Sequence, residues 1–135
     1  MFGDESIYAV AREWTAKADN DLANAVQALR LKKRCPTDTV CFHAQQCVEK
    51  YLKGLLILRG IAFPKTHNIE ELLFLVPAEL RPDLEPQEQA RLTAYATVTR
   101  YPGDYEPIPL AEARRAVQTA RPVRQEIRQV LSKAA

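Results

Sequence analysis

Cys41-Phe42-His43-Ala44-Gln45-Gln46-Cys47-Val48-Glu49-Lys50-Tyr51-Leu52-Lys53-Gly54 reads as a helix with two apolar sides. At 100° per residue, Ala44, Val48, Tyr51, Leu52, Leu55 and Leu58 gather on one side, a core stripe. The opposite side carries Phe42, Gln46, Glu49, Lys53, Leu56 and Ile57. A solvated face has no use for Phe42, Leu56 and Ile57 beside amides and charges. The pattern predicts a helix that packs its own core and also a second surface, most simply another copy of the chain. Gly54 costs about 1 kcal/mol relative to alanine inside a helix, which points to close approach by another helix.

Working outward, the flanks are helical too. Ile7, Ala11, Trp14, Ala18, Leu22, Ala25 and Leu29 recur at three- and four-residue steps and mark a first helix over about 5–31. Its exposed face is expected to carry Glu13, Lys17, Asp19, Asn20 and Asn24. Pro36 ends that pattern, and Thr37 or Asp38 is positioned to cap the second helix. The second helix runs to about residue 59, with Gly60 as its stop. A third, short helix follows Thr66 or Asn68 and ends before Pro77. A fourth covers about 87–99. Tyr101 to Pro109 holds three prolines and a glycine and is irregular. The last helix starts near Leu110, and Pro122 inside it predicts a kink or local break. The expected fold is all-α, an antiparallel up-and-down bundle of four to five helices in a single domain, residues 1–135 with a core at about 5–132.

Composition agrees. The chain of 135 residues is 47% hydrophobic and 27% charged, which is globular rather than disordered. No run of about 18 apolar residues offers a membrane span. The start of the chain lacks the basic and apolar pattern of a secretory signal, and the three cysteines, Cys35, Cys41 and Cys47, form no C-x-x-C. A reducing cytoplasm is expected. The net charge of +2 excludes a globally basic nucleic-acid binder, so any basic surface is local. His43 and His67 lie far apart, without cysteine or acidic ligands at a metal spacing, so no metal or cofactor is expected.

Several segments together resemble the small single-domain prokaryotic HEPN proteins. They are Ala11-Arg12-Glu13-Trp14, Ala18-Asp19-Asn20-Asp21-Leu22, Phe42-His43-Ala44-Gln45-Gln46, Glu49-Lys50-Tyr51-Leu52-Lys53, the run from Gly60 to Ile69, and Arg100-Tyr101-Pro102-Gly103. The resemblance spans about 8–130. It implies a homodimeric helical bundle, often paired with a minimal nucleotidyltransferase in a toxin–antitoxin system. It also implies metal-independent ribonuclease activity where an arginine is followed, four to six residues on, by a histidine. In such a motif the histidine moves protons and the arginine stabilises phosphate charge. Here Arg100 is present, no histidine follows it, and Tyr105 stands where the motif admits one. A phenol, with a reference pKa of about 10, shuttles protons poorly at neutral pH.

The resemblance leaves several roles open. Arg100, Tyr105 and His43 are the candidate catalytic residues of an RNA endonuclease with a nonstandard motif. Arg100, Tyr101, Asp104 and Tyr105 are candidates for nucleotide or RNA binding, the guanidinium on phosphate and a ring against a base. Tyr105 and Tyr101 are candidates for adenylylation by the partner. Phe42, Gln45, Gln46, Glu49, Lys53, Leu56 and Ile57 are the expected dimer interface. The bland readings are a proline-rich loop packed on the bundle, a histidine bonded to a polar neighbour, and a purely structural or adaptor bundle. On the last helix Arg114, Arg121, Arg124 and Arg128 share about 80° of arc, either a solvated face or a contact for RNA or an acidic protein.

Overall fold

The computed structural model describes residues 2–97 and 106–134, with side chains from 6 to 96 and from 106 to 134. Among them are five α-helices and no strand: α1 (Phe2–Leu29), α2 (Thr37–Leu58), α3 (Ile69–Leu75), α4 (Pro86–Thr97) and α5 (Leu110–Ala134). Single 3-10 turns at Lys32–Arg34 and Ala78–Leu80 punctuate the connections. None of these helices is long and apolar enough to cross a membrane.

α2 is the axis of the bundle, and α1, α3, α4 and α5 all pack against it. Its core stripe is buried from Ala44 to Leu55. The second apolar side is where expectation and structure part. Gln45, Glu49, Lys53 and Leu56 are also buried, within this one chain. α1 and the 61–68 connector cover that side, so a second copy is not what fills it. Phe42, Gln46 and Ile57 keep exposed surface. Gly54 explains the close fit, because a Cβ there would sit 3.1 Å from Thr15 Cγ2 and 3.2 Å from the Ala11 carbonyl oxygen. The helix that approaches it is the chain's own α1.

The helix ends follow local chemistry. Gly60 takes φ +69, its N–H donates to the Ile57 carbonyl, and the next N–H, of Ile61, donates to Leu56. That double return closes α2 with a left-handed residue that glycine adopts without Cβ strain. Asn68 caps α3 by accepting from the Glu71 N–H at 3.0 Å. At the start of α2 the expected side-chain cap is absent. Pro36 occupies the cap position, and the Asp38 carboxylate accepts from the adjacent Thr39 N–H instead. α5 runs unbroken through Pro122. Pro122 and Gln118 are both exposed, so water can serve the carbonyl that the proline leaves without a donor.

Candidate functional site

Three polar groups knit α1 to the rest of the bundle, and all three draw on α2. In the first, Asp21 of α1 is buried and holds two partners on α2. His43 Nδ1 lies 2.7 Å from Oδ1, and Lys50 Nζ donates to Oδ2 at 2.7 Å. The His43 side chain keeps 24% of its surface, and the Phe42 ring meets its edge at 5.6 Å between centroids. A carboxylate on Nδ1 fixes the imidazole's orientation and turns Nε2 to other partners, the arrangement a proton-transfer histidine requires. His43, Gln46 and Lys50 form the half-exposed strip of α2 beside α1.

In the second group, Glu49 accepts from Lys53 Nζ at 2.9 Å and from Gln45 Nε2 at 2.9 Å, and contacts His67 Nδ1 at 2.9 Å. Gln45 also donates to the His67 carbonyl. The Lys53 ammonium lies over the Trp14 and Phe63 rings, 5.6 and 5.8 Å from their centroids. Burial raises the Glu49 pKa, but the bonds from Gln45, Lys53 and His67 outweigh it, so the carboxyl stays below the usual glutamate range. These residues are a buried charge pair, and their bonds to His67 fix the 61–68 connector to α2.

In the third, Asp19 accepts from the Tyr51 hydroxyl and from Arg124 Nε at 2.7 Å, with Arg128 at 3.4 Å. This ties α1, α2 and α5 at one point. Burial, followed by the bond to Asp19, pushes the Tyr51 hydroxyl up to about 12. Asp19 was expected on the exposed face of the first helix, and the structure instead half-buries it. Asp21 was a motif residue with no role attached. Its place 300° on from Ala18, at the border of the core stripe, was the available signal.

The segment with Arg100, Tyr101, Asp104 and Tyr105 lies outside the described residues, and the helices on its two sides are joined. The Tyr95 hydroxyl near the end of α4 donates to Glu112 Oε2 at 2.5 Å, in the first turn of α5. Burial and then Glu112 raise the Tyr95 pKa. The end of α4 and the start of α5, which flank the segment in sequence, are thus braced against each other. Among the described residues no three His, Cys, Asp or Glu side chains converge as a metal site would require. Cys41 and Cys47 are buried packing residues, and burial lifts the Cys47 thiol to about 12.

Comparison with known proteins gives this bundle its family. The HEPN domain profile matches residues 11–130. The chain belongs to the HEPN domain family. TT1696 from Thermus thermophilus, a crystal structure, is similar to this HEPN domain with a TM-score of 0.69 and 29% identity, over 88% of this chain and 96% of that one. ST0689, described as an archaeal HEPN homologue, has the same fold with a TM-score of 0.68 and 24% identity, over 90% and 97%. No curated protein sequence matches the chain. In this HEPN domain the motif residues Asp19, Asp21, Gln45, Glu49 and Lys53 all belong to the interhelical polar groups. Much of what makes the sequence resemble the family therefore builds the bundle.

Proposed function

We propose that this HEPN domain acts as a cytoplasmic homodimer with a minimal nucleotidyltransferase partner, as one component of a toxin–antitoxin pair. In this reading Arg100, Tyr101, Asp104 and Tyr105 take the phosphate and base of a nucleotide or RNA, and Tyr105 or Tyr101 accepts an adenylyl group. Phe42, Gln46 and Ile57 supply the exposed part of the dimer seam. The observation that carries the reading is family membership over 11–130, joined to an arginine–tyrosine segment between two braced helix ends. Tyrosines beside an arginine suit nucleotide contact better than proton transfer at neutral pH.

The test is co-expression with the product of any adjacent gene, followed by native and intact mass measurement. A dimer bound to a nucleotidyltransferase, with an adenylyl addition mapped to Tyr101 or Tyr105, is the expected result. A lone subunit at micromolar concentration that carries no partner refutes it.

His43 supports a second reading, a metal-independent RNA endonuclease. Its ring is anchored by Asp21 and half exposed, so it can replace the histidine missing after Arg100. RNA cleavage that disappears in both Arg100→Ala and His43→Gln, with helicity intact, would establish it. Cleavage unaffected by either change would exclude it.

A further inference from the structure

α1 and α5 both rest on α2, and an open groove of about 350 Å³ lies between them. Leu22, Ala23 and Val26 of α1 form an aliphatic wall, and Arg121 and Arg124 of α5 stand opposite. Asp19, the one carboxylate lining the groove among the described residues, is already paired with Arg124 and Arg128. Arg121 and Arg114 are exposed along the same strip of α5. Past Gln27, which also lines the groove, α1 ends in a turn whose Arg30, Lys32, Lys33 and Arg34 are all exposed. The whole chain carries only +2, so this concentration of cations leaves the rest of the molecule net negative.

We propose that the α1–α5 groove docks an acidic amphipathic helix of a partner protein. The partner's apolar ridge lies on Leu22, Ala23 and Val26, and its carboxylates meet Arg121, Arg114 and the α1-terminal cations. Charge complementarity selects an acidic occupant, and the aliphatic wall selects a helix among acidic occupants. A nucleic-acid strand would use the cations through its phosphates but gain nothing from the aliphatic wall, on which an amphipathic helix lays its apolar face. The groove residues belong to α1 and α5, and the inference stands or falls independently of the function proposed above.

The probe is a fluorescein-labelled synthetic helix of about 15 residues, the minimum for an isolated helix. Glutamates occupy one flank and leucines and alanines the other. Its anisotropy is followed against the full-length protein. Binding should weaken at least about tenfold in Arg121→Glu, and equally in Ala23→Glu, which puts a negative charge at an exposed position of the wall. A scrambled peptide of equal charge should bind about tenfold less tightly, because it lacks the apolar ridge. Circular dichroism checks that both variants stay folded. Equal binding of the scrambled peptide would overturn the proposal by reducing the groove to a charged surface. So would a single-stranded RNA that displaces the peptide, or a self-associated form of the chain that Ala23→Glu dissolves.

Discussion

Replacing Lys53 by methionine tests the buried polar group most directly. Methionine keeps the unbranched stem under Trp14 and Phe63 but removes the ammonium from Glu49. The pair is 2.9 Å apart, with side chains only 9% and 4% exposed. At an effective dielectric of about 20, the gross attraction at that distance is about 6 kcal/mol, most of it spent on desolvating the two ions. Removing one partner of such a pair costs about 3–5 kcal/mol, because the surviving charge stays buried. Glu49 keeps its bonds to Gln45 and His67, so the lower end, about 3 kcal/mol, is expected. The pH dependence has a definite sign. In the native protein the Glu49 pKa is depressed, so its contribution is present above the usual glutamate pKa and is lost as pH falls through the depressed folded value. In the variant the carboxyl has lost its main cation and protonates more readily, which relieves the penalty. The gap between native and variant stability, measured by urea unfolding, should therefore narrow as pH falls from neutral toward about 5. The double variant Glu49→Met/Lys53→Met should recover much of the loss, since it leaves no unpaired charge. A cost below about 1 kcal/mol, or one that does not change with pH, would refute the view that these charges depend on each other inside the bundle.

Other outcomes follow from the same packing. Gly54→Leu should destabilise the chain by about 1–3 kcal/mol in denaturant titration, because even a Cβ meets Thr15 and the Ala11 carbonyl at 3.1 and 3.2 Å. Imidazole nitrogen shifts should show a proton held on His43 Nδ1 by Asp21, and Asp21→Ala should move that Nδ1 resonance. Native protein should show at most one thiol reacting with a disulfide reagent at pH 8, that of half-buried Cys35, and three after unfolding. Cys41 and Cys47 are buried, and the Cys47 thiol is held near 12.

Helix positions were legible because each helix carries an apolar period and ends in turn chemistry. Gly60 as the stop of α2 and Asn68 as the cap of α3 need only local backbone geometry, which the neighbouring residues dictate. Pro122 was misleading for the same reason, since a local rule takes no account of solvent serving the freed carbonyl on an exposed face. The candidate site was legible in part. His43 stood out as a residue at the border of two faces, but its partner lies 22 positions away, a distance that no periodicity reports.

The order and length of the helices, the small core residues of α1 and the need for close approach at Gly54 were determined by the sequence itself. They depend on residues within a few turns of one another. The tertiary structure alone decided what lies on the second side of α2. A helix wheel shows that a face must be covered but not by what, and an apolar face with charges is the same whether a twin subunit or the chain's own first helix covers it. Folding chose α1 and the 61–68 connector, because Trp14, Phe63 and His67 complete the surroundings of Glu49 and Lys53 that α2 leaves unfinished.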